Sequence, residues 1–334
     1  MTVFRALTVG GELRLDGFEA NGTVEAVVTP NRVKCGGAKF NDRVWLSLSG
    51  GDLWVTDSQF AAPTTIESSL RKVAKAVPGA HTGLARVRVR SLRGTDAEHL
   101  TLTDADLSRC VLSGLRRPEQ IRLGGRCVFA PTPRGRYWRW KIVPWWWTAR
   151  EGLFEEHLWR SSATAPGPRK GWLHLDPDGD DSGEATPERL EVLYRQLRTS
   201  LEDARNEPGA SDFYYGEMEM RRRAAQDKTE RWLLNGYWLV SGYGLRATRA
   251  LAGLAILVLS TALALQYIGF QGNVSSYPYC VLYAAGSVVS LSVASDHLPT
   301  VTTASGDTLR ILLRIGGPIL LGLAALALRG RVKR

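Results

Sequence analysis

In "SLRGTDAEHLTLTDADLSRCVLSG", residues 91–114, Leu92, Ala97, Leu102, Leu107 and Leu112 recur every five positions. Leu100, Ala105 and Cys110 lie two residues before the last three. Neither the helical period of 3.6 nor the strand period of 2.0 produces this pattern. A period of five fits a chain that turns a corner every five residues, with the central Leu and the small residue two before it pointing inward. An amphipathic hairpin is the ordinary alternative. One coil cannot bury a core by itself, so neighbouring stretches must supply further turns. Residues 1–65 alternate apolar and polar positions between Gly and Asn/Asp punctuation, as strands and turns do. Phe40 and Phe60, twenty apart, would fall one full coil from each other.

The unit "ADLSR" resembles the pentapeptide repeat, whose coils stack as a right-handed quadrilateral β-helix. Residues 1–130 are therefore expected to form a strand-rich, β-helix-like domain. One interruption is predicted, an amphipathic helix over 66–78 with Ile66, Leu70, Val73 and Val77 on one face.

Residues 131–185 change character. "APTPRGRYWRWKIVPWWWTAR" sets Trp and Tyr among Arg, Lys and Pro, a mixture suited either to stacking on bases or to a membrane interface or capping surface. The second fits better beside membrane spans. "GWLHLDPDGDDSGEATPE" is a polar linker without the Glu an EF-hand would need. Over 186–248 an αα-hairpin is expected. Thr186 caps its first helix and Pro187 opens it, Leu190, Leu193, Leu197 and Leu201 form one stripe, and "NEPG" stops it. In the second helix Glu217–Arg221 and Glu219–Arg223 are spaced for i,i+4 pairing. "ERWLLNGYWLVSGYGLR" follows as a juxtamembrane amphipathic helix.

The chain carries 43 Lys+Arg and 33 Asp+Glu, of which only six and two lie beyond residue 249. The preceding part is nearly balanced, which argues against nucleic acid as a partner. Residues 250–270 are uncharged and long enough to cross about 30 Å of hydrocarbon. A second span is expected over 311–328, interrupted by Arg314 and softened by Gly316, Gly317 and Pro318. Arg246 and Arg249 precede the first span and "RGRVKR" follows the second, whereas 271–309 contain no Lys or Arg. The positive-inside rule then puts both termini in the cytoplasm of a multi-pass cell-membrane protein. The N-terminus shows no signal peptide, in keeping with a cytoplasmic first domain.

Within the membrane domain, 249–334, the uncharged "PYCVLYAAGSVVSLS" (278–292) cannot be a third span without moving the C-terminus outside. A re-entrant or interfacial helix satisfies the charges. Ser287, Ser290 and Ser292 either line a path or cap that helix. Asp307, Arg310 and Arg314 stand about one turn apart at the start of the second span. The arginines either snorkel to headgroups or face a water-filled path that favours anions.

From "LTLTDADLSRCVLSG" through "RCVFAPTPRGRYWRW", "FEEHLWR", "YRQLRTSLEDARNEPGASDFYYGEMEMRR" and "YWLVSGYGLR" to "LALRGRVKR", the chain looks like the actinobacterial pentapeptide-repeat membrane proteins with a two-span, ion-channel-like tail. Only eight of the 43 basic residues are Lys, as a GC-rich genome would produce. The resemblance implies a β-helical cytoplasmic part and a membrane tail, and no substrate. The fold class expected is mixed α and β: an N-terminal β-helix, a helical connecting region and a C-terminal transmembrane hairpin with a short re-entrant helix.

No catalytic motif stands out. "GYGLRA" (242–247) has the letters of a dinucleotide fingerprint but precedes a span and lacks the following acid. His157 in "FEEHLWR" reads as a helix-face residue. Cys35, Cys110, Cys127 and Cys280 show no metal-ligand spacing and read as reduced core thiols. No cofactor is expected. The sequence favours a membrane-anchored, non-enzymatic interaction scaffold or regulator with a cytoplasmic protein partner. The alternative is an oligomeric channel, although "GSVVSLS" replaces a potassium filter and "TTASG" lies too near the second span. A membrane-associated oxidoreductase, the label some such proteins carry, is remote. A two-span subunit encloses a pore only as a homo-oligomer.

Overall fold

The computed structural model describes residues 11–28, 30–68, 86–133, 136–139, 143–146, 149–162, 171–173, 185–270, 276–289 and 302–332. The chain divides into two compact units, Met1–Ala224 and Ala225–Arg334.

The first unit is a parallel β-solenoid. One face is the sheet β1 (Glu12–Arg14), β4 (Arg32–Gly36), β7 (Asp52–Thr56) and β10 (Arg88–Ser91). A second is β3 (Val24–Val28), β6 (Val44–Leu48), β9 (Thr64–Ser68), β11 (Leu100–Thr103) and β12 (Arg122–Gly124). The third is β2 (Glu19–Ala20), β5 (Lys39–Phe40) and β8 (Gln59–Phe60). The five-stranded face, one strand per turn, gives about five turns. Arg32 pairs with Glu12 and Asp52, and Val44 with Val24 and Thr64, so each early turn takes twenty residues, or four sides of five. Gly17, Gly37 and Asp57 repeat one left-handed corner at φ 67°, 64° and 51°, a conformation Gly and Asp tolerate best. Phe40 stacks on Phe60 with ring centres 5.4 Å apart.

Leu92, Ala97, Leu100, Leu102, Ala105, Leu107, Cys110 and Leu112 are all buried along the solenoid axis. The helix expected over 66–78 is corrected at its start. Ile66 lies inside β9, paired with Leu46 on β6 and Leu102 on β11, because the β-branched run Thr64, Thr65, Ile66 fits a pleated ladder. The remainder of that helix, 69–78, falls outside the described residues.

Past the last turn, β13 (Ala130–Pro131) pairs antiparallel with β16 (Glu151–Gly152). In the Trp-rich segment, β14 (Arg136–Arg139) and β15 (Val143–Trp146) form a hairpin. Three helices follow: α1 (Phe154–Ser161), α2 (Pro187–Asp203) and α3 (Glu207–Ala224). Thr186 caps α2 by accepting from Arg189 N at 3.5 Å. The stripe Leu190, Leu193, Leu197 and Leu201 joins the solenoid core, so the apolar face of the αα-hairpin docks within the same unit. Glu219 pairs with Arg223 at 3.7 Å as the spacing predicts. Glu217 instead reaches across to Arg195 (2.9 Å) and Arg198 (3.3 Å) on α2, locking the two helices together.

The second unit begins with α4 (Lys228–Ser241), whose Trp232 and Leu233 stay exposed. Helix α5 (Ala247–Ala264) continues through a π-helical turn at Leu265–Gly269, α6 spans Tyr277–Val288, and α7 spans Ala304–Val332. Two helices are long and apolar enough to cross a membrane, Ala247–Gly269 and Ala304–Leu328. The second starts seven residues before the expected 311, so Asp307 and Arg310 are helical, and Gly316, Gly317 and Pro318 do not break it. Around α6, Cys280, Ala284 and Val288 pack with Ala262, Leu265 and Leu313 in one core. The opposite surfaces are bare hydrocarbon: Ile256 is 67% exposed and Ile315 61%. Apolar area of this extent without cover suits a bilayer rather than water.

Candidate functional site

Two places in the chain gather polar groups where polar groups are costly. The first is the end of the solenoid. A terminal coil has unpaired backbone groups and must be capped. Glu155, at the start of α1, supplies the cap: its Oε1 accepts the backbone N–H groups of Leu112 and Ser113, the latter at 2.8 Å. Burial pushes its carboxyl up from the ordinary range, and the two N–H groups only partly offset this. On the neighbouring face Ser200 of α2 donates its hydroxyl to Ile121 O at 2.5 Å.

Behind the cap lies a buried ionic cluster. Glu156 accepts from Arg150, from the Tyr194 hydroxyl and from Arg160 Nε at 2.7 Å. Tyr194 in turn accepts from Leu153 N at 2.8 Å and Arg150 Nη1 at 3.1 Å. Glu219 of α3 takes Arg222 at 2.7 Å and Arg160 at 3.3 Å. Burial would raise both carboxyls, but Arg150 and Arg160 outweigh it at Glu156, and Arg222 with Arg160 at Glu219. Each acid is held at about 2. The cluster ties Arg150, just before β16, to α1, α2 and α3. Its charges are spent on one another rather than aimed at a cavity, the pattern of a structural network.

His157, read from the sequence as a helix-face residue, is only 1% exposed. Its Nδ1 accepts from Leu173 N at 3.2 Å and its ring meets Trp172 edge-on. Burial, with Arg150 and Arg160 nearby, lowers its pKa to about 4 against the pull of Glu156.

Between the last coil and the C-terminal end of α2 is an open groove of about 1080 Å³, lined among others by Glu98, His99, Glu119, Arg122, Leu123 and Arg126. Its floor is the outer edge of β12. Gly124 O accepts from Asp104 N, so Gly124 faces β11, whereas Ile121 O faces outward to Ser200. By strand alternation Leu123 directs its N–H and C=O away from β11, into the groove. Cys127, half-buried there, donates its thiol to Gly124 O and Leu102 O, and burial raises its pKa.

The second place is the helical unit. Ser287 is buried, and its hydroxyl donates to Tyr283 O at 2.8 Å within α6, while Ser290 and Ser292 lie outside the described residues. Helix α6 lies along half of the α5–α7 pair. Tyr283 meets Phe270 edge-on at the end of the α5 segment, and the Tyr277 hydroxyl reaches Leu259 O at 3.1 Å, midway along α5. Asp307 accepts from the Thr302 hydroxyl at 2.7 Å. Arg310 is half-buried and Arg314 exposed. The fingerprint-like "GYGLRA" is a helix-to-helix turn: Gly242, Tyr243 and Gly244 all have positive φ, and Gly242 is the C-cap of α4.

The coil core and the two candidate spans are legible in the sequence. Glu155, Glu156 and Ser200, whose partners lie far along the chain, are not. The available signal was two consecutive acids in an otherwise aromatic and apolar "FEEHLWR".

Fold and site together define a β-solenoid repeat protein with a helical unit carrying two candidate membrane spans. Compared with protein-family models, curated proteins and solved structures, the chain matches none.

Proposed function

We propose that this protein is a membrane-anchored, non-enzymatic scaffold. The helical unit sits in the cell membrane, with both termini cytoplasmic as the basic flanks require, and the solenoid offers its open edge to a cytoplasmic protein. The observation that carries this reading is the outward-facing backbone pair of Leu123 in an open groove. An exposed parallel edge strand is a template for an added strand from another chain. The same geometry weakens the enzyme reading, because Glu156 and Glu219 are paired with Arg150, Arg160 and Arg222 and the fingerprint-like glycines form a turn.

A proline tests the edge directly. Leu123→Pro removes the outward N–H while leaving the bonds of Arg122 and Gly124 to β11 in place. With the full chain in lipid nanodiscs and a photo-crosslinking residue at Arg122, a discrete protein should be captured by the parent chain. Leu123→Pro should capture it at least tenfold less. Equal capture by both would overturn the edge as the docking surface.

A further inference from the structure

The corner between α4 and α5 carries two arginines folded back on it. Arg249 Nη1 donates to Trp238 O at 3.1 Å, and its guanidinium lies 5.1 Å from the Trp238 ring centre. A side chain on Gly242, which has φ 55°, would meet Arg246 Cγ at 2.8 Å, so Arg246 lies against that glycine. A carbonyl at the C-terminal end of α4 and an aromatic face thus hold Arg249 in place. Both arginines stand where the first candidate span begins, at Ala247.

This end of the helical unit is basic and short of acid. Thr303 N donates to Gly269 O, and Gly253 meets Leu320, so α5 and α7 run antiparallel. That pairing brings Arg329 and Arg331, on the last turns of α7, to the level of the corner. No Asp or Glu occurs between Glu230 and Asp296 or after Asp307. Asp227 is committed to capping α4, accepting from Thr229 N at 3.1 Å.

Helix α4 packs on α5 and α7, burying Leu234 and Ser241. Among the described residues nothing covers its other side. Trp232 is 80% exposed and Leu239 68%, Leu233 is exposed as well, and a side chain at Gly236 would begin in open space. Helical geometry puts these four within about 120° of one another. An apolar face bearing Trp, ending in cations at the start of a span, fits the boundary between acyl chains and headgroups.

We infer that the α4–α5 corner is a binding site for acidic phospholipids of the cytoplasmic leaflet. The α4 face seats among the acyl chains, while Arg246 and Arg249 take the headgroup. The inference rests on the membrane anchoring proposed above. A lipid surface is the occupant that fits both halves: α5, one corner away, also exposes apolar Leu251 and Ile256, and phosphate supplies the negative charge this end of the unit lacks. A zwitterionic headgroup carries its own cation and returns less to the arginines.

The test reconstitutes the full chain in phosphatidylcholine vesicles containing phosphatidylglycerol. Phosphatidylcholine brominated on its acyl chains should quench the Trp232 emission, taken as the difference between the parent chain and Trp232→Phe. Spin-labelled phosphatidylglycerol should be immobilised by the chain at least about threefold more than spin-labelled phosphatidylcholine. Arg246→Gln with Arg249→Gln should lower that preference at least twofold and leave the quenching of Trp232 in place, since glutamine removes only the charge. Trp232 emission untouched by brominated lipid would overturn the inference, because α4 would then lie in water or under a protein partner. Equal immobilisation of the two lipids, or a preference unchanged in the double variant, would overturn it as well. A chain that fails to float with the vesicles would instead overturn the anchoring, and the inference with it.

Discussion

Replacing Glu156 with Gln is expected to destabilise the solenoid unit by about 3–5 kcal/mol, the cost of removing one partner from a buried ion pair. Its carboxylate is the anion between Arg150 and Arg160, and all three side chains are at most 3% exposed. The amide keeps the shape and one acceptor, so what is lost is charge. Two guanidiniums then remain in a low-dielectric site with Glu219 alone to balance them, and the Tyr194 hydroxyl loses its anionic acceptor. For a unit of this size the melting temperature should fall on the order of 10 °C. Circular dichroism melts of the full chain in detergent measure it. A shift under about 2 °C would show that the cluster does not hold the cap. Replacing Arg150 and Glu156 together by Met and Leu should cost less than Glu156→Gln, since no unpaired charge is left behind.

The second large effect is a dependence on pH centred on His157. Its folded pKa of about 4 lies below the ordinary 6.5. Between those values the unfolded chain binds a proton that the folded chain does not. The stabilisation is therefore complete above pH 6.5 and is lost as pH falls through 4, on the order of 3 kcal/mol in all. Protonation would put a hydrogen on Nδ1, the atom that accepts Leu173 N–H, so the bond itself is lost with the charge change. Glu156 and Glu219 act in the same direction but lower, between their ordinary 4.5 and about 2. Glu155 acts in the opposite direction, since its raised pKa stabilises the fold only towards acid. Denaturant midpoints from pH 7 to 4 should decline for the parent chain. They should stay nearly flat over that window for His157→Gln, whose amide still accepts from Leu173. Parallel curves would show that another group carries the dependence.

How far this fold is legible in the sequence depends on which side of a coil a stretch occupies. From Leu92 to Leu112 each side is short and its central residue recurs every five positions, so the letters show the coil. Before residue 68 the sides β3, β6 and β9 are full five-residue strands. Their alternation masks the five-residue count, and only the twenty-residue echo of Phe40 and Phe60 survives. Ile66 shows the hazard at such a boundary, because its spacing to Leu70 and Val73 is helical while its ladder partners are Leu46 and Leu102. The two candidate spans are legible because lipid demands long uncharged runs, a demand local in sequence. The cap is not, because Glu155 meets Leu112 from 43 residues away and Ser200 meets Ile121 from 79. Arg314 stands between these cases. Its presence in a candidate span is plain from the letters, whereas its level opposite Leu259 on α5 needs the packing of Gly316 on Leu257 and of Gly253 on Leu320.

The central claim is that the helical unit anchors the solenoid in a bilayer, and extraction of membranes tests it most directly. Membranes from cells expressing the full chain are washed at alkaline pH, which strips peripheral proteins but leaves integral ones. The account predicts that the chain stays with the lipid and is released only by detergent. Release into the alkaline supernatant would contradict it, because the exposed faces of α5 and α7 would then be covered by protein and not by lipid.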